Sequence, residues 1–217
     1  MNIEQARFNM IEQQIRPWDV LDQSVLSLLA LVKREDFVPA AQKALAFVDT
    51  EAPLPGGQCM LAPKVEARLL QELAVQKHES VLEIGAGSGQ MAALLGHKAQ
   101  QVHSLEIDAE LAQMAHDNLK RAGVVNVSVL NVDGAQGLAA EAPFDVIVLS
   151  GSVAEVPAVL LAQLKLGGRL VAIVGQLPVM RATLFTHSSP NDFSRVELFD
   201  TVAPRLRGFD EPSRFKF

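Results

Sequence analysis

Apolar positions in the first third of the chain recur at helical spacing. Val25, Leu28, Leu29 and Val32 fall at i, i+3, i+4 and i+7, the stripe of a helix docked on a core. Pro17, which has no amide donor, predicts a break between this helix and an earlier one around Ile3 to Ile15. From Val48 to Pro63 the periodicity stops. The run DTEAPLPGGQCMLAP gathers three prolines and two glycines, the composition of an ordered surface loop, and loops of this length in compact domains are often functional. From Ser80 strand and helix signals alternate: VLEI, a helix near Gln90 to Gly96, QVHSLE, and a helix with Leu111, Met114, Ala115, Leu119 and Ala122 on one side. The apolar runs NVSVLNV, FDVIVLS and GRLVAIVG follow, the last two separated by a helical stretch, VPAVLLAQL. Such alternation predicts a parallel sheet covered on both faces. The stretches MRATLFTH and RVELFDTV, joined by the turn-rich SSPND, predict an antiparallel hairpin at the sheet edge. The expected fold is α/β, a doubly wound Rossmann-like sheet of about seven strands whose last pair is antiparallel. It forms one domain over residues 1–217: an N-terminal helical and loop region (1–79), a core (80–175), and a hairpin with tail (176–217).

Composition supports a globular chain: 49% of the 217 residues are hydrophobic and 20% charged, enough apolar surface for a large core. The net charge of −6 comes without any basic block, so the electrostatic footprint of a nucleic-acid binder is missing. Cys59 is the single cysteine, and the five histidines are scattered, so the sequence predicts neither an internal disulfide nor a metal cluster. The start MNIEQARFNM has neither the basic end nor the apolar core of an export signal. No charge-free apolar run approaches the ~20 residues of a membrane helix. The expectation is a cytoplasmic protein with no membrane or nucleic-acid partner.

The chemistry concentrates at Glu83-Ile84-Gly85-Ala86-Gly87-Ser88-Gly89, where a strand ends and a helix opens. Residues without Cβ let the backbone turn tightly there and approach a ligand. A Walker loop would end in Gly-Lys-Ser/Thr, whereas Gln90 and Met91 follow Gly89, which disfavours ATP phosphate chemistry. A dinucleotide fingerprint wants Gly or Ala where Gln90 stands, which leaves NAD open but less favoured. S-adenosylmethionine carries no phosphates, and an acid just before the glycines, Glu83, suits its ammonium group. Glu106 lies about 20 residues beyond Gly85 at a strand tip, where a carboxylate accepts hydrogen bonds from ribose hydroxyls. Asp108 reads as a helix N-cap, and Asp133-Gly134 follows the third strand at the ligand-binding edge, placed to face an adenine.

Other residues read as structural. Cys59 has no neighbouring base or cation in sequence to activate it, and His97, His103 and His116 lack paired metal-ligand spacing. Trp18 and the methionines read as packing, and the tail from Arg205 to Lys216 as a solvated end of alternating charge. Ser150 and Ser152, after the fourth strand, are weaker candidates for facing an acceptor.

With these residues placed, the chain resembles the protein-L-isoaspartate O-methyltransferase family of class I S-adenosylmethionine-dependent methyltransferases. The similar stretches are REDFVP at Arg34 to Pro39, APLPGGQ, VLEIGAGSG, Glu106, the DG pair at Asp133, and APFDVIV with QLKLGGRLVAIVG. The resemblance implies the class I methyltransferase fold, S-adenosyl-L-methionine as cofactor, and methyl transfer to the carboxylate of isoaspartyl residues in damaged proteins. It also implies a cofactor site at Glu83, Gly85, Ala86, Gly87, Ser88, Gly89, Glu106, Ile107, Asp133 and Gly134, and a substrate loop at Gln58, Cys59, Met60 and Leu61. Where the family carries Thr-Ile-Ser after the glycine-glutamine pair, this chain has Cys59, Met60 and Leu61, so two hydroxyls are missing. Its closing segment also departs from the family pattern. A different acceptor, or a non-catalytic S-adenosylmethionine-binding protein, are the alternatives that this departure leaves open.

Overall fold

The structure, a computed structural model, describes residues 2–190 and 192–211. Helix α1, Ile3–Met10, starts at Asn2, whose side chain accepts a hydrogen bond from the Gln5 amide. A π-helical turn at Ile11–Ile15 and a 3-10 turn at Arg16–Trp18 follow, so the helix expected to reach Ile15 changes its winding before Pro17. Helix α2, Gln23–Leu31, is capped by Asp22 and buries Val25, Leu28 and Leu29 of the expected stripe, together with Leu26.

The segment expected as a loop holds a short antiparallel pair. Strand β1, Ala52–Pro53, runs against β2, Cys59–Met60, around a tight turn at Pro55–Gly57. Helix α3, Pro63–Leu73, follows at once and has no counterpart in the pattern reading. Its signals are a proline at the first position and a buried side built on Val65, Leu69, Leu70 and Leu73.

The alternating region folds as expected into β3 (Ser80–Ile84), α4 (Gln90–Lys98), β4 (Gln101–Glu106), α5 (Ala109–Arg121), β5 (Val127–Asn131) and β6 (Phe144–Val153). Helix α6 is a single turn, Ala158–Leu161, shorter than the helical stretch expected there. The chain turns early because Leu164 opens β7, Leu164–Gln176, by pairing with Phe144. Strands β8, Val179–Ser189, and β9, Asp192–Thr201, form the expected hairpin. Since β7 and β8 are also antiparallel, the hairpin continues a three-strand meander.

The seven strands lie in the order β5-β4-β3-β6-β7-β8-β9, with every pair from β5 to β7 parallel. The direction of winding reverses between β3 and β6, and a crevice opens there at the carboxyl ends of the strands. Alternate side chains sort onto the two faces. Val81, Val102, Val146, Val148 and Val171 join the core beneath the N-terminal helices, while Leu82, Leu105, Ile147, Leu149 and Leu170 pack the opposite layer. All ten are fully buried, each contributing about 1.5–3 kcal/mol, so the strand ends that carry the site are firmly fixed. No helix among the described residues is long and apolar enough to cross a membrane.

Candidate functional site

At the end of β3 the chain is tied to β4: the amides of Gly85 and Ala86 donate to the Leu105 carbonyl at 2.8 and 3.1 Å. The loop then curls through positive φ at Gly85 (93°), Gly87 (53°) and Gly89 (83°), conformations that a side chain would strain. Gly89 also lies against Ala115 of α5, where an added Cβ would meet backbone atoms at 3.1 Å. Ala86 and Ser88 are buried, and the Ser88 carbonyl accepts from Asn118 Nδ2 at 2.9 Å.

Glu106, at the tip of β4, closes the loop from the other side. Its Oε2 accepts from the Gly87 amide at 2.8 Å and its Oε1 from the Asp108 amide at 3.1 Å. Each oxygen keeps acceptor capacity for a ligand. Glu106 and Ile107 line a cleft of about 50 Å³ with Gly85, Gly87, Gly134, Gln58 and Cys59, so the structure brings both candidate groups together. Asp108 caps α5 as expected, accepting from the amides of Glu110 and Leu111. Asp133 differs from expectation. Its carboxylate caps its own turn by accepting from the Ala135 amide at 2.9 Å and faces Gly208, while Gly134 is the member of the pair that lines the cleft.

Glu83 is completely buried beneath the loop, where its carboxyl accepts from Ser104 Oγ at 2.5 Å and Ser150 Oγ at 2.8 Å. Burial pushes this carboxyl up to about 8, against the pull of the two hydroxyls. At neutral pH it is largely protonated and becomes an anion readily only opposite a cation. Glu83 lines a second cavity, of about 20 Å³, with Glu66, Cys59, Met60 and Leu61.

The hairpin turns its residues in different directions. Gln58 and Cys59 reach the glycine cleft, whereas Met60 and Leu61 are core residues with 4% exposure each. The Cys59 thiol is pushed up to about 12 by burial and by the neighbouring Glu51 carboxylate, which keeps it neutral.

Two features of the site have no forerunner in the sequence reading. Buried Arg34 pairs with Glu66 and donates from Nη1 to Gln90 Oε1 at 2.6 Å and from Nη2 to the Leu61 carbonyl at 2.7 Å. One guanidinium thereby joins the hairpin, α3 and the start of α4. The only sequence signal was Glu66 itself, an acid on the apolar side of a helix. Second, the start of the segment after β9 docks on the sheet, whereas Arg207, Gly208, Asp210 and Glu211 are exposed. It runs parallel to β6, with the Ser152 amide donating to the Pro204 carbonyl and the Leu206 amide to the Ser152 carbonyl, both at 2.9 Å. Leu206 covers Gly85 and Gly151, and Arg207 pairs with Asp108 at 2.8 Å. Residues 212–217 of the expected tail lie outside the described residues. The two serines weighed as weaker candidates divide: half-buried Ser150 lines the glycine cleft and holds Glu83, while fully buried Ser152 joins Arg205 and the Ala203 carbonyl.

Comparison with known proteins places this geometry. The model of the family "Protein-L-isoaspartate(D-aspartate) O-methyltransferase (PCMT)" matches residues 5–197. A protein-L-isoaspartate O-methyltransferase of Koribacter versatilis is 39% identical over 194 residues, 89% of this chain and 87% of its own. One from Rhodopseudomonas palustris is 40% identical over 200 residues, 92% of each chain. Among solved structures, a Plasmodium falciparum enzyme described as a putative protein-L-isoaspartate O-methyltransferase, in complex with S-adenosyl-L-homocysteine, superposes with a TM-score of 0.76. At 21% identity over 93% of this chain and 98% of that one, it shows the common fold. The glycine loop closed by a strand-tip carboxylate, the doubly wound sheet and the sequence matches agree: the chain belongs to the protein-L-isoaspartate(D-aspartate) O-methyltransferase family.

Proposed function

We propose that this protein transfers the methyl group of S-adenosyl-L-methionine to the carboxylate of L-isoaspartyl residues in proteins, within a reducing cytoplasm. The observation that carries this reading is the Gly87 amide held on Glu106, which sets a backbone cradle at positive φ beside a carboxylate with free acceptor capacity. Gly85 and Gly87 give the approach for the methionyl part, Glu106 takes the ribose hydroxyls, and Ile107 and Gly134 form apolar walls for the base. Buried Glu83 meets the ammonium, whose charge favours its ionised form. The cofactor supplies an electrophilic methyl carbon, and its transfer to a carboxylate oxygen leaves a neutral thioether and a methyl ester with no proton moved.

The side chains therefore have to orient the reactants and exclude water rather than donate or withdraw protons. The cleft of about 50 Å³ is small beside the ~300 Å³ or more that ligand sites usually span. Leu206, which covers Gly85, is the side chain that has to yield for the cofactor to enter.

A second reading, methyl transfer to another acceptor, is favoured by the hairpin itself: a neutral thiol at Cys59 and a buried Leu61 offer no hydroxyl donors. One assay separates the two. With labelled S-adenosyl-L-methionine, an isoaspartyl peptide should accept methyl groups and the matching aspartyl peptide should not. Binding of S-adenosyl-L-homocysteine without transfer to the isoaspartyl peptide would overturn the first reading and favour the second.

A further inference from the structure

We propose that Arg205 binds the carboxylate of the acceptor, in a cavity bordering the glycine cleft, and that Glu211 holds its guanidinium until an acceptor arrives. This rests on the methyl-transfer reading and names the group that recognises the substrate.

The cavity, of about 1010 Å³, opens between the carboxyl ends of the strands and the C-terminal segment, with Glu51, Ser152, Gln176, Met180, Arg205 and Glu211 in its wall. It meets the glycine cleft along two borders. The first border is the segment that bridges to β6 at Arg205. Leu206 covers Gly85, and Arg205, one residue earlier, lines the cavity. At the second border Glu51, from the cavity wall, sits against the Cys59 thiol, which lines the cleft.

Arg205 is aimed from a rigid support. Its Nη1 donates to Ser152 Oγ at 3.2 Å, and that fully buried hydroxyl donates onward to the Ala203 carbonyl at 2.8 Å. Its Nε already pairs with a carboxylate oxygen of Glu211 at 2.5 Å, so the guanidinium edge is shaped for the group we assign to it. The Glu211 side chain is 48% exposed, and exposed ion pairs add little net stability, so an incoming carboxylate displaces it cheaply.

The neighbouring arginines are committed elsewhere: Arg34 is buried on Glu66, Gln90 and the Leu61 carbonyl, and Arg207 pairs with Asp108. Arg205 is the one cation among the described residues of the cavity wall. With no hydroxyl on the hairpin, the donor that a carboxylate needs comes from the C-terminal segment. Glu51 and Glu211 make the rest of the rim acidic, which disfavours acceptors carrying further negative charge.

The test uses the full chain saturated with S-adenosyl-L-homocysteine and reads, by fluorescence anisotropy, the binding of three labelled peptides. They differ only in carrying isoaspartate, aspartate, or isoaspartate with its free α-carboxylate converted to the amide. Wild type should bind the isoaspartyl peptide; R205A should weaken it by about tenfold or more, to the level of the amide peptide, and R205K by less. E211Q should tighten it by about threefold by removing the internal competitor. The affinity for S-adenosyl-L-homocysteine, measured by calorimetry, should not move with R205A. The proposal is overturned if R205A binds the peptides as wild type does, if wild type does not distinguish carboxylate from amide, or if R205A loses S-adenosyl-L-homocysteine in the same proportion, which would make Arg205 only a tether of its segment. Methyl transfer followed in parallel keeps the two readings apart. Arg205-dependent carboxylate binding without transfer to isoaspartate sustains Arg205 and sinks the isoaspartyl reading, whereas transfer that R205A leaves unchanged does the reverse.

Discussion

The loop from Gly85 to Gly89 holds its shape through its own backbone, with three glycines at positive φ and amides tied to Leu105 and Glu106. The hairpin from Ala52 to Met60 is held from outside, by Arg34 reaching through the core to the Leu61 carbonyl and to Glu66. On the proposed reading the first region holds the cofactor, and its curl is set by the glycines themselves. On the same reading the second faces the acceptor, and its side chains can vary as long as its anchor persists. The absence of hydroxyls at Cys59 and Leu61 therefore leaves the backbone path of the hairpin intact, and under the Arg205 proposal the donor comes from a distant part of the chain.

Removing the anchor should give the largest effect. Glu66→Ala leaves Arg34 charged and buried without its partner, a loss of about 3–5 kcal/mol and a melting temperature lower by roughly ten degrees. A loss under about 1 kcal/mol in chemical denaturation would mean that the hairpin holds itself. Gly85→Val acts on the other region. At φ 93° a branched side chain is strained, and its Cβ would meet Leu206 at 2.7 Å. The ~2.7 kcal/mol of stabilisation expected from S-adenosyl-L-methionine at ~100 times Kd should vanish from the thermal shift. An unchanged shift would remove the cofactor from this loop.

Glu106→Ala should weaken the cofactor by about 1.5–3 kcal/mol, tenfold to a hundredfold in calorimetric Kd, with Glu106→Gln milder. Part of that loss comes from freeing the Gly87 amide, so hydrogen exchange at Gly87 should rise in the alanine variant even without ligand. A pH-dependent effect lies at Glu83, on the border of the two regions. Its folded pKa of about 8 is above the ordinary 4.5, so its contribution to stability is fully present below about pH 4.5 and is lost as pH rises through about 8. Between those limits wild-type stability should fall by at most about 1.4 kcal/mol per pH unit relative to Glu83→Gln. Parallel melting curves for the two proteins over that window would show that Glu83 is ionised in the folded state.

The sheet and the cofactor side were legible because their signals are local. Period-two apolar runs, glycines at a strand-to-helix junction and an acid about 20 residues on each constrain a backbone that pairs only with its neighbours. Helix α3 went unread although Pro63 and the apolar positions after it carried the pattern, because the proline-rich loop before it masked the start. Asp133 illustrates the limit from the other side. Its place at the sheet edge was foreseen, but the direction of its carboxylate depends on its own turn and on Gly208, which is about 75 residues away in sequence and adjacent in space.

By itself the sequence determined the doubly wound sheet, the glycine loop with Glu106 beside it, and the absence of hydroxyls on the hairpin, since propensity, periodicity and residue identity act over a few positions. Only the tertiary structure decided that Arg34 anchors the hairpin, that Leu61 is core, and that the end of the chain returns over Gly85 to bring Arg205 into the cavity. Those contacts join residues 27 to more than 100 positions apart, and which side chain fills a given space depends on packing around the whole core rather than on any local pattern.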